Sequence, residues 1–123
     1  MKLTDFKLAA FDMDSTLINI ECIDEVAGAA GRKAEVAAIT EAAMRGEITD
    51  YKDSLRQRVA LLKGLDVDVI RRCLEERISL STGAQTLVRT MRARGAMTLL
   101  VSGGFVDFVK PVAAMVGFEY HDA

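Results

Sequence analysis

The residues best placed to do chemistry are two carboxylates, Asp12 and Asp14, in the stretch Phe11-Asp12-Met13-Asp14-Ser15-Thr16 that follows the apolar run Leu8–Phe11. Side chains two apart on an extended segment point the same way, so both carboxylates can share one pocket. Held that close they repel, and the strain is relieved by a divalent cation, a shared proton, or both. Asp66-Val67-Asp68 repeats the spacing but has no apolar strand before it and no Thr after it. That second pair reads as a helix start, where carboxylates meet the positive end of the dipole. The later Val101-Ser102-Gly103-Gly104-Phe105 adds a hydroxyl and glycine-freed amides at the end of another apolar run, a combination suited to an anion.

These groups need a scaffold. Residues 6–12 read as a first strand, and Met97–Val101 as a buried second one. Between them run four helical patterns: Asn19 to Gly31, Arg32 to Arg45, Asp50 to Lys63 with Thr49 as N-cap, and one opening near Asp66. No strand interrupts them, which predicts a small helical bundle inserted after the first strand. Thr82 to Arg94 predicts a further helix closed by Gly95, and Phe105 to Val116 another, with a kink or break expected at Pro111. Phe118-Glu119-Tyr120 begins a third strand. Strand, helix, strand in that order makes a right-handed crossover with parallel strands, so both strand ends face one crevice and Ser102 lies near Asp12.

Composition bounds the answer. The chain has 123 residues, half of them hydrophobic, and a net charge of −2, which fits a globular protein and not an electrostatic nucleic-acid binder. No apolar run approaches the ~18 residues of a membrane span, and the N-terminus lacks the apolar core of a signal peptide. Cys22 and Cys73, the only cysteines, have no metal-ligand spacing and suit reduced thiols in a cytoplasmic protein. His121, the only histidine, is far from the motifs, so a Ser-His-Asp mechanism has no base.

The Asp-x-Asp-x-Thr strand end and the Ser after the next core strand resemble the haloacid dehalogenase superfamily. More narrowly, the segments Phe11–Val26, Ser54–Val59 and Val101–Phe105 are similar to its phosphoserine-hydrolysing members. The fold this implies is α/β: an incomplete haloacid dehalogenase-like, Rossmannoid parallel sheet over residues 1–16 and 82–123, with an inserted four-helix cap over 17–81. The activity it implies is Mg²⁺-dependent hydrolysis of O-phosphoserine to L-serine through an aspartyl phosphate. Asp12 matches the nucleophile and Asp14 the general acid and base, with Mg²⁺ on the Asp12 carboxylate and the Asp14 carbonyl. Ser102 and Gly103 match the phosphate cradle. Glu21 and Arg58 match the partners of the substrate ammonium and carboxylate, and Met44 and Tyr51 the apolar side of that pocket.

The resemblance also implies a phosphate-neutralising Lys and a Gly-Asp-Gly-x-x-Asp loop, which these 123 residues do not contain. The expectation is therefore a chain weakly active or inactive alone, with an open sheet edge that invites self-association. Two other readings keep part of this picture: a phosphatase or phosphotransferase for another small phosphorylated amine, and a non-catalytic module that completes its sheet with a second copy.

Overall fold

The computed structural model describes residues 2–123. They form two compact units: residues 2–20 with 78–123, and residues 21–77.

The first unit is a three-stranded parallel sheet with helices on one face. Its strands are β1 (Leu8–Phe11), β2 (Met97–Val101) and β3 (Tyr120–Asp122), in the order β1-β2-β3. Leu8 pairs with Met97 and Phe11 with Leu100; Leu99 pairs with Tyr120 and Val101 with Asp122. Alternation along β2 divides its side chains. Thr98 and Leu100 are buried, together with Phe108, Val109, Val112 and Val116, all residues of a helix that spans Val106–Val116. The helix Ala84–Ala93 adds Val88 and Met91 to the same core. The opposite sheet face stays open: Leu8 is 55%, Met97 48%, Val101 44% and Tyr120 51% exposed.

Helix Val106–Val116 runs through Pro111 as one element, without the break expected there. Pro111 removes one backbone donor in the middle of the helix, while Phe108, Val109, Val112 and Ala113 are buried on either side of it and hold the turns together. Gly117, with φ 101°, then reverses the chain so that the amides of Gly117 and Phe118 both donate to the Ala113 carbonyl at 2.9 and 3.0 Å. The reversal sets up β3 and stacks Phe118 edge-on against Phe11, with centroids 5.5 Å apart.

The second unit holds four helices, α1 (Cys22–Ala29), α2 (Lys33–Met44), α3 (Tyr51–Ala60) and α4 (Asp68–Glu76), packed through α1 against α2 and α4, and α2 against α3. Numbering continues with α5 (Ala84–Ala93) and α6 (Val106–Val116) of the sheet unit. The N-cap of α3 is Asp50, whose carboxylate accepts from the Lys52 amide at 3.0 Å, and not Thr49. Both residue types cap well, and Asp50 is the one adjacent to the first helical residue.

The chain leaves and re-enters the sheet unit through two paired segments. Ile18 and Leu80 form an antiparallel bridge, and the Asn19 amide donates to the Ser79 carbonyl at 3.0 Å. The Ser81 hydroxyl donates to the Thr16 carbonyl at 2.7 Å. No helix among the described residues is long and apolar enough to cross a membrane.

Candidate active site

Asp12 is the first residue beyond β1, and the turn that follows is built on one carbonyl. Met13 O accepts from the amides of Thr16, Leu17 and Ile18 at 3.1, 2.9 and 3.3 Å. The Met13 side chain is fully buried, which anchors the turn to the core and leaves Asp12 exposed and Asp14 half-buried beside it. Thr16 Oγ1 donates to Asp12 Oδ2 at 3.3 Å, which explains the Thr of the motif: it holds one carboxylate oxygen and leaves the other to react. Among the described residues Ser15 is the one non-glycine residue with a positive φ, 54°, and it lies in this loop. A strained residue beside two carboxylates fits a functional turn.

Beyond β2, Ser102 is buried and its Oγ accepts from the Gly104 amide at 3.0 Å. With that lone pair engaged, the hydroxyl proton is left to donate elsewhere. A Cβ on Gly104 would lie 3.1 Å from Ser102 Oγ, 3.4 Å from Met13 Cε and 3.9 Å from Asp14 Oδ2. One point within 4 Å of both Asp14 and Ser102 shows that the two strand ends converge, as the parallel pairing requires. A side chain at Gly104 would fit only if the Ser102 hydroxyl gave way by a few tenths of an ångström. Gly103 is exposed in the same turn.

The oxygen donors fit a hard cation. Mg²⁺ is commonly held by one or two carboxylates with water and substrate phosphate completing its shell, and Asp12 and Asp14 offer only oxygen. Among the described residues no third carboxylate, histidine or thiol joins a cluster able to hold a metal.

The remaining sequence-predicted residues lie in the helical unit. Met44, Tyr51 and Arg58 line one cavity of about 280 Å³ between α2 and α3, with Thr40, Ala43, Ile48, Thr49 and Ser54. Arg58 is half-buried, and its Nε donates to the Ser54 carbonyl at 3.4 Å. Met44 and Tyr51 are exposed on the apolar wall. Glu21 is exposed at the N-cap of α1, where its carbonyl accepts from the amides of Asp24 and Glu25.

Sequence reasoning missed Asp24. It is half-buried in the first turn of α1, and burial pushes its carboxyl above the ordinary carboxylate value. The charge of Glu21 adds to that shift, while Lys33 and Arg58 pull against it. Its spacing of three from Glu21 on one helix was the available signal.

The family model for haloacid dehalogenase-like hydrolases matches residues 9–122. The chain is 61% identical over 120 residues to the phosphoserine phosphatase of Albidiferax ferrireducens and 62% identical to that of Polaromonas sp., covering 98% of this chain and 51% of each relative. It therefore spans about half the length of the curated relatives it matches. Among solved structures, one described as a phospho-aspartyl intermediate analogue of phosphoserine phosphatase overlays with a TM-score of 0.84 at 40% identity, over 94% of this chain and 55% of that one. A substrate-bound phosphoserine phosphatase complex also gives 0.84, at 39% identity. With its paired strand ends, its Asp-x-Asp turn and a family match across nearly its whole length, the chain belongs to the haloacid dehalogenase-like hydrolases.

Proposed function

We propose that this chain carries the phosphoryl-accepting and amino-acid-recognising residues of a Mg²⁺-dependent phosphatase that hydrolyses O-phosphoserine to L-serine and phosphate. The observation that supports it best is the convergence of Asp14 Oδ2 and Ser102 Oγ beside Gly104, which brings an acid and a hydroxyl together at the end of a parallel sheet.

In this reading Asp12, steadied through one oxygen by Thr16, attacks phosphorus with the other. The ester P–O bond breaks as Asp14, in its acid form, gives its proton to the departing serine oxygen. An acyl phosphate remains on Asp12. Asp14, now a carboxylate, takes a proton from a water that attacks the same phosphorus, freeing phosphate and restoring Asp12. The Ser102 hydroxyl and the Gly103 amide donate to the non-bridging phosphate oxygens. Mg²⁺, on the Asp12 carboxylate and the Asp14 carbonyl, would neutralise phosphate charge. Arg58 recognises the substrate carboxylate with its fork, Glu21 the ammonium, and Met44 and Tyr51 the carbon skeleton. Phosphoryl transfer rests on positioned charge, so two acidic residues without further cationic support give slow turnover, and the chain by itself is weakly active or inactive. The small phosphorylated amino acid is the expected partner, in a cytoplasmic setting.

The test measures phosphate release from O-phosphoserine by this chain and by a protein in which the same residues sit within the full length of its relatives. Release by the longer protein, with a phosphoryl mass trapped on Asp12 and abolished by Asp12→Asn, is expected. A longer protein that folds, binds Mg²⁺ and never releases phosphate overturns the reading.

A further inference from the structure

The helical unit contains a second cavity, of about 430 Å³, that shares no residue with the one holding Arg58. One wall is a single face of α4, with Val69, Arg72, Cys73 and Glu76 at helical spacing and Arg77 at its end. Across from it, Gly28 and Ala29 of α1 leave room, and Glu25 and Lys33 close one side. Buried Val69 and Cys73 give the cavity an apolar floor under charged walls.

Only part of the charge on those walls is spent within them. Lys33 pairs with Glu25 at 3.3 Å, which accounts for one charge of each sign. Arg72 and Glu76 stand four apart on α4, the spacing that favours an ion pair. Arg71 and Glu75, of the same types, order and spacing on the same helix but outside the cavity, do pair, at 3.3 Å. Among the described residues no ion pair forms for Arg72, Glu76 or Arg77. The cavity thus presents two guanidinium groups and one carboxylate that remain available over a small apolar base.

We infer that this cavity is a binding site for an acidic α-amino acid, whose two anionic groups meet Arg72 and Arg77 and whose ammonium meets Glu76. A ligand with two anions and one cation matches the available groups in sign and number. A neutral amino acid leaves one arginine unanswered, and a simple dicarboxylate leaves Glu76 unanswered.

The test is a titration of the ¹⁵N-labelled chain, read at the Gly28 and Ala29 amides, with L-aspartate, L-glutamate, L-alanine, succinate and inorganic phosphate. Saturable shifts with the two acidic amino acids are expected, at least about tenfold tighter than with the other three, since each charge-assisted bond is worth roughly that factor. Arg72→Ala with Arg77→Ala weakens binding at least about tenfold by the same reasoning, whereas Arg71→Ala leaves it unchanged. Should the double variant lose its dispersed spectrum, Arg72→Gln alone carries the same contrast. O-Phospho-L-serine has the same charge arrangement and competes for the same shifts. Arg58→Ala leaves those shifts in place, which separates this site from the pocket proposed for the phosphatase substrate. The inference is overturned by no saturable shift at millimolar ligand, by equal binding of alanine, succinate or phosphate, or by shifts that survive removal of both arginines.

Discussion

Replacing Gly104 by Ala probes the junction of the two motifs directly. Gly104 does not have a positive φ, so Ala is allowed by the backbone, and the whole effect falls on the space its methyl enters. At 3.1 Å from Ser102 Oγ the methyl is too close by a few tenths of an ångström, and the buried hydroxyl has to yield. Overpacking of this kind costs about 1–3 kcal/mol. Loss of the Gly104 amide bond to Ser102 Oγ adds about 1 kcal/mol, and the stiffer unfolded chain returns about 0.4–1 kcal/mol. The net expectation is a destabilisation of about 1–3 kcal/mol. Urea unfolding of the chain measures it as a lower midpoint at constant slope. The decisive comparison is the same substitution in Ser102→Ala, where the obstructing oxygen is gone. There Gly104→Ala should be neutral or stabilising by about 0.5 kcal/mol, so the sign reverses. If Gly104→Ala costs the same in both backgrounds, Ser102 does not confine that space and the convergence of the two strand ends has been misread.

Three further predictions concern single residues. In the longer protein, Arg58→Ala should raise KM for O-phosphoserine by about tenfold or more while changing hydrolysis of a plain aryl phosphate by less than about threefold, because only the amino acid carries a carboxylate to lose; equal effects on both substrates would remove Arg58 from recognition. Asp24 holds its proton more tightly folded than unfolded, so its ionisation weakens the fold progressively as pH rises through and above the ordinary carboxylate value of 3.8. Asp24→Asn should therefore be slightly more stable than the parent at neutral pH, with the gap closing as pH falls below that value, as followed by thermal unfolding across pH. Thr98 Oγ1 is buried on β2 with no hydrogen-bond partner among the described residues, so Thr98→Val should be neutral or stabilising by about 1 kcal/mol in the same urea assay.

Much of the fold was legible because its signals are local. The apolar runs Leu8–Phe11 and Met97–Val101 are too short and too apolar for surface helices, and the four helical patterns between them left no strand to pair. At Pro111 a local rule predicted a kink or a break; the break does not occur, since burial on both sides of it keeps the helix one element. The Asp50 cap was misplaced by one residue, within the usual uncertainty of helix ends. For the site, the Asp-x-Asp-x-Thr and Ser-Gly-Gly patterns stand in sequence, and the fold adds the space beside Gly104 where they meet. Met44, Tyr51 and Arg58 came from resemblance, since an isolated Arg on a helix reads as solvated; the cavity between α2 and α3 gathers all three. The Arg72–Arg77 cavity was out of reach, because it depends on which helix faces pack together; for Asp24 the spacing from Glu21 stood in the sequence, but its burial did not.

The sheet has α5 and α6 on one side only, although parallel strands are normally covered on both. A net charge of −2 offers little repulsion between copies, so the behaviour of this chain at high concentration falls to Leu8, Met97, Val101 and Tyr120. Polar replacements at Met97 and Val101, whose side chains point away from α5 and α6, should keep the chain dispersed in concentrated solution, as light scattering would show, while the phosphate corner keeps its geometry. Association is thus governed by an open face of the sheet, and the candidate chemistry by the ends of two of its strands.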